Sequence, residues 1–146
     1  PKPYVEILCG VSSGLSTATL RYALSFAQEF GSRLTVLNVD DLDRAHRADE
    51  GWVRTDIDRL RVEIPESARD WCVIDELVTT GDPAGELVKT AHDRKPDLVV
   101  VGSTGLPGSD GGLGSVALGA LTLTNASVLI VPAPGVAQGI EAMAAA

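Results

Sequence analysis

The sequence predicts an open, doubly wound α/β fold: one domain built on a parallel sheet of five strands, with helices on both faces. Three observations carry that prediction. Short β-branched runs alternate with segments whose apolar residues recur every three to four positions, the pattern of repeated strand–helix units. The runs LTVLNV and LVVV are apolar almost throughout, as strands covered on both faces are. A chain of 146 residues also fits one domain of about 100–200 residues, with enough core to fold without disulfides or metal.

The elements follow in order. VEILCGV, Val5 to Val11, is the first strand, broken by Ser12, Ser13 and Gly14. Ser16 stands at a helix N-cap position, and Leu20, Ala23, Leu24, Ala27 and Phe30 repeat at helical spacing before Gly31, so a helix is expected over 17–30. Leu34 to Val39 is the second strand. The acidic stretch 40–70 holds one apolar stripe, Val53, Ile57, Leu60 and Ile64, which predicts a second helix ended by Pro65. Trp71 to Thr79 reads as a third strand, and Asp75 and Glu76 within it mark a sheet edge. Asp82–Pro83 is an N-cap followed by proline at the first helical position. Leu87, Val88 and Ala91 give that helix its core face, and Pro96 ends it. Leu98 to Val101 is the fourth and most apolar strand, suited to a central place. A glycine-rich loop, 102–114, leads to a small-residue helix over 115–124 and a last strand, Val128 to Val131. The tail 132–146, ending AMAAA, has little to pack and is expected to be loose.

Charge narrows the function. Twelve basic against 20 acidic residues give a net charge of -8. Nucleic-acid binders draw most of their affinity from clustered Lys and Arg, so nucleic acid is not an expected partner. No apolar run reaches the roughly 18–20 residues of a membrane helix, and PKPY has no basic stretch leading into an apolar core. The expectation is a cytoplasmic protein without membrane contact. Cys9 and Cys72, each in an apolar run and without a partner at ligand spacing, read as small buried hydrophobes rather than a disulfide or metal set. Trp52 and Trp71 read as walls of a small core.

Open α/β sheets bind ligands at the carboxyl ends of their strands, so the candidate site lies along Ser12–Gly14, Val39, Asp40 and the Gly102 loop. That loop carries Gly102, Gly105, Gly108, Gly111, Gly112 and Gly114 between a buried strand and a helix start. Glycines allow backbone N–H groups to approach a phosphate, and Ser115 adds a hydroxyl at the positive end of the helix dipole. The loop lacks Gly-Lys-Ser/Thr, so it is no Walker A loop; a turn-forming surface loop is the plain alternative. A catalytic reading needs a base or metal carboxylates near the loop. Only Asp40 and Asp110 qualify, and both histidines, His46 and His92, read as structural. Asp40, Asp41, Asp43 and His46 read as a solvated helix start rather than a metal cluster. No enzyme activity beyond slow hydrolysis is expected.

On these pieces the chain resembles the universal stress protein family: ILCGV with a serine-containing turn, GDPAGELVKTA, PDLVVVGSTG, a glycine loop closing on GSV, and VLIVP. The resemblance covers nearly the whole chain. It implies a Rossmann-like sheet of the adenine nucleotide alpha hydrolase-like kind, with strand order 3-2-1-4-5. It also implies a homodimer paired through the last strand, Val128 to Val131, whose uncovered apolar edge independently invites such pairing. Members divide into ATP-binding and non-binding proteins, and the binders carry Gly-x-x-Gly, nine residues, then Gly-Ser or Gly-Thr. Here Gly102-Ser-Thr-Gly105 and Gly114-Ser115 match, with eight residues, Leu106 to Leu113, between them. Ser12 stands where the family's first strand normally ends in Asp.

The resemblance implies a nucleotide site in which Val39 offers its backbone to adenine and Val11, Ser12 and Ser13 face the nucleoside. Gly102, Ser103, Gly105, Gly114, Ser115 and Val116 would then cradle phosphate. ATP, AMP or cAMP is the implied ligand, with Mg accompanying ATP. The lysine-poor loop with Asp110 suits AMP or cAMP better than a triphosphate. The shortened loop and Ser12 equally fit a family member that binds no nucleotide and regulates an unidentified protein partner. Both readings stand on the sequence.

Overall fold

A computed structural model describes residues 4–11, 17–40, 64–103 and 114–132. The elements are β1 (Glu6–Val11), α1 (Thr17–Phe30), β2 (Arg33–Asp40), a 3-10 turn (Glu66–Asp70), β3 (Val73–Thr80), α2 (Pro83–Arg94), β4 (Leu98–Gly102), α3 (Ser115–Leu123) and β5 (Ser127–Val131). The five strands form one sheet in the order β3-β2-β1-β4-β5, and every pair is parallel. This is the expected order, with the expected third strand at one edge and the last strand at the other. Of the second predicted helix only Ile64 is described; it is 3% exposed and packed in the core. Trp52 and the expected loose tail beyond Pro132 lie outside the described residues.

Strand alternation divides the core into two layers. Ile7, Cys9, Val11, Leu34, Val36, Leu98 and Val100 face α1, which contributes Leu20, Ala23, Leu24 and Ala27. Leu8, Leu37, Val99 and Val101 face the other way, against Leu87 and Ala91 of α2 and Ala117 and Ala120 of α3. A sheet covered on both faces accounts for the near-continuous apolar runs of β2 and β4. Close approach of α2 depends on Gly10, where an added Cβ would stand 3.3 Å from Leu87 Cδ1 and 3.4 Å from Val101 Cγ1.

The helix boundaries have identifiable chemical causes. α1 ends on Gly31 at φ 61°, and the Ser32 amide returns to the Ala27 carbonyl at 2.9 Å, a glycine-terminated C-cap. α2 starts on Asp82, whose Oδ2 accepts from the Gly85 amide at 2.9 Å. At its far end Arg94 donates to Thr35 Oγ1 at 3.0 Å and to Asp75 Oδ2 at 3.3 Å. Those two acceptors are register partners on β2 and β3.

One expectation is corrected. β3 begins at Val73, not Trp71, because the Trp71 and Cys72 amides both donate to the Ala68 carbonyl at 3.2 Å and so complete the 3-10 turn. Their backbone donors are satisfied locally and do not join the sheet. Trp71 is 67% exposed and forms no wall of the core among the described residues. Among the described residues no helix is long and apolar enough to cross a membrane.

Candidate functional site

All five strands point their carboxyl ends at one crest, and β1 and β4, adjacent at the centre, divide it. Val11 closes β1, buried at 7% exposure and paired in register with Asn38 of β2. Val39 follows Asn38, half-buried, with Thr79 of β3 as its partner. Gly102 closes β4 opposite Val131 of β5. Ser12, Ser13 and Gly105 lie outside the described residues, as does Asp110.

The two ends of the glycine loop are fastened to each other. The Ser103 amide donates to the Val131 carbonyl at 2.9 Å, which continues the β4–β5 ladder one residue past the strand. The Ser103 carbonyl then accepts from the Gly114 amide at 2.9 Å. Ser103 and Gly114, the described ends of this loop, therefore meet just beyond β4. The sequence-predicted pairs Gly102–Ser103 and Gly114–Ser115 meet there. Gly102 also sits tightly over α1, since a Cβ on it would lie 3.4 Å from Thr19 Oγ1.

α3 begins at this junction. Its N-cap is Gly114, extended at φ -66° and ψ 164°, with no side-chain cap bond and no acid in the first turn. The contrast with α2 is chemical: there a carboxylate occupies the N-cap and Glu86 lies in the first turn. The first amides of a helix lack intrahelical acceptors and carry the positive end of the helix dipole. At α3 no side-chain cap from the described residues meets the first amides, which is what an anion site at a helix N-terminus requires.

Among the described residues the ion-paired arginines do not reinforce this point. Arg33, Arg69 and Arg94 are committed to Glu6, Glu76 and Asp75 respectively, and all three sit towards the amino ends of the strands or under the sheet edge. Among the described residues no group of three or more His, Cys, Asp or Glu is placed to hold a metal ion. His92 lies at the end of α2 remote from the crest, where its Nε2 donates to the Leu123 carbonyl at 3.2 Å.

Sequence reasoning missed three polar residues under the crest. Thr19 and Asn38 are 5% and 0% exposed, and Thr79 Oγ1 is buried without a hydrogen-bond partner among the described residues. The available signal was a polar residue near the carboxyl end of an otherwise apolar strand, as in LTVLNV. Both cysteines are free and buried. Burial pushes the Cys9 thiol up to about 12. It also raises that of Cys72, against the lowering effect of Arg69. Neither serves as a nucleophile at neutral pH.

A model of the universal stress protein family matches residues 3–132, which takes in every element described above. A universal stress protein of Methanocaldococcus jannaschii is 28% identical over 132 residues, 84% of this chain and 78% of that protein. Among solved structures, the universal stress protein UspA of Lactobacillus plantarum has a TM-score of 0.73 at 21% identity, covering 88% of this chain and 97% of that one. It is a likeness of fold. A universal stress protein in complex with cAMP has a TM-score of 0.68 at 25% identity, over 88% of this chain and 97% of that one. With the family's sequence pattern running through both central strands, the glycine loop and the last strand, this chain belongs to the universal stress protein family.

Proposed function

We propose that the protein is a nucleotide-binding stress or signalling module that holds an adenine nucleotide at the crest of the sheet and works as a homodimer. The observation that carries this reading is the uncapped start of α3, fastened beside Ser103, with glycine at the N-cap and no acid in the first turn. A solved relative in complex with cAMP supports it. The phosphate is held by the amides of Gly102, Ser103, Gly105, Gly114, Ser115 and Val116. Adenine lies against the Val39 backbone, and Val11, Ser12 and Ser13 face the nucleoside.

A phosphate cradle of backbone amides in a glycine loop, 102–114, that carries no lysine or arginine favours a monophosphate, AMP or cAMP. ATP would bring Mg to offset the charge of Asp110. The proposal contains no catalytic step, since a general base or a metal carboxylate set is needed for one and His92 is engaged elsewhere.

Calorimetric titration with cAMP, AMP and ATP with Mg tests the reading, alongside Ser115→Asp. The new carboxylate would cap the α3 amides and repel phosphate. We expect nucleotide affinity to fall about tenfold or more, while the melting temperature holds or rises by roughly 1–4 °C. A general loss of structure would lower both. A folded protein giving no heat with any of the three nucleotides overturns the proposal. The eight-residue loop spacing and Ser12 would then favour the second reading, a member that binds no nucleotide and regulates a protein partner.

A further inference from the structure

We propose that the cavity between the end of α2 and the α3–β5 turn is a second ligand site, for a small molecule carrying an oxyanion group anchored by Lys95. It lies at the opposite end of the sheet from the crest and does not depend on the nucleotide reading. The cavity holds about 360 Å³, within the range of about 300–1,000 Å³ usual for small-molecule sites. Its apolar surface comes from Ala91, Pro96 and Ala126, and its donors come from Lys95 and Asn125, the Nε2 of the lining His92 being engaged by the Leu123 carbonyl.

The charge pattern points to an anion. This chain has 20 acidic residues against 12 basic ones, yet among the described residues no carboxylate lines this cavity. The nearest acid in sequence beyond Pro96, Asp97, turns its Oδ2 to the Val5 and Glu6 amides at 2.9 and 3.0 Å. Arg33, Arg69 and Arg94 all have carboxylate partners; Lys95, like Arg21 and Lys89, has none among the described residues, and of these three it alone lines the cavity. Both α2 and α3 end beside the cavity, so their negative dipole ends oppose an anion there and Lys95 has to outweigh them; of the end carbonyls, that of Leu123 is engaged by His92 Nε2 at 3.2 Å.

Backbone geometry marks the same residue. Lys95 is the C-cap of α2 in the left-handed region, φ 51° and ψ 59°, and among the described residues it is the one non-glycine with positive φ. Glycine is the ordinary residue at such a helix end, and a side chain there is strained. Strain of this kind at a cavity wall is where functional residues collect. The lysine thus stands at a position that folding alone would give to glycine.

The test uses the full chain, with amide chemical shifts followed during titration by inorganic phosphate and, in a second arm, by acetate. We expect saturable shifts at Ala91, His92, Lys95, Asn125 and Ala126. Saturation by phosphate alone assigns a phosphoryl ligand, and saturation by acetate alone a carboxylate. Lys95→Gly relieves the backbone and removes the ammonium, so the site should lose about tenfold or more in affinity while the protein becomes more resistant to urea. Lys95→Arg should retain binding. Linear, unsaturated shifts in both arms, shifts confined to 114–116, or an unchanged curve in Lys95→Gly would each overturn the proposal.

Discussion

Asp97 joins the beginnings of three strands through its side chain and the two peptide units that flank it. Its Oδ2 accepts from the Val5 and Glu6 amides, its own amide donates to the Glu6 carbonyl at 2.7 Å, and its carbonyl accepts from the Ser127 amide at 3.1 Å. Removing the carboxylate leaves two backbone donors at the start of β1 without their acceptor. Asp97→Ala should therefore lower stability by about 1–3 kcal/mol in urea unfolding, and Asp97→Asn, which keeps an acceptor, should recover much of the loss. Cys9 acts through burial instead. Its folded-state pKa lies above the ordinary 9.0, at about 12. The native state then holds its proton more tightly than the unfolded chain, so its contribution is complete below pH 9 and declines between pH 9 and 12. Over that window the thiol should remove about 1.4 kcal/mol per pH unit. Unfolding free energies of Cys9→Ala measured across the same range should fall less steeply than those of the parent protein.

At the level of elements, the segments legible in the sequence are those whose ends are set by local chemistry. α1 spans the expected 17–30 because helical spacing and Gly31 both mark it. α2 starts where Asp82 and Pro83 require. The start of β3 was not legible in the same way. Trp71, Cys72, Val73 and Ile74 form a continuous apolar run as a strand can, yet the first two are drawn back by the Ala68 carbonyl, and short-range closure prevails over hydropathy. The site divides similarly. The meeting of Gly102–Ser103 with Gly114–Ser115 could be inferred from glycine clustering before a helix, whereas burial of Thr19 and Asn38 beneath it depends on tertiary packing. The cavity beside Lys95 had no sequence signal, since a lysine before a proline reads only as a helix stop.

For the molecule as a whole, the two sheet edges differ in charge. On β3, Asp75 and Glu76 are held by Arg94 and Arg69, so polar groups screen that edge. β5 carries Ser127, Val128, Leu129, Ile130 and Val131 without a charged residue. Beside it α3 exposes Leu118 at 51% and Leu121 at 48%, on the side turned away from Gly119, the residue that packs on Ala84 and Val88 of α2. An uncharged edge next to exposed leucines is where the proposed twofold partner would add its own β5. Leu118→Lys combined with Leu121→Lys should shift sedimentation from dimer to monomer at micromolar concentration while leaving the circular dichroism spectrum unchanged. A parent protein that sediments as a monomer would remove the dimer from the proposal.

The central position of β1 also governs how the chain can fold as it leaves the ribosome. Glu6 reaches its contact with Asp97 across 91 residues, so β1 can pair with β2 early, but its other side must wait for β4. Throughout that interval a nascent half-sheet presents the open edge of EILCGV, apolar on both faces. Such an edge is a template for pairing with another chain. The strand at the centre of the finished molecule is therefore the one most in need of protection while the protein is being made, and slowing synthesis between β3 and β4 would prolong that exposure.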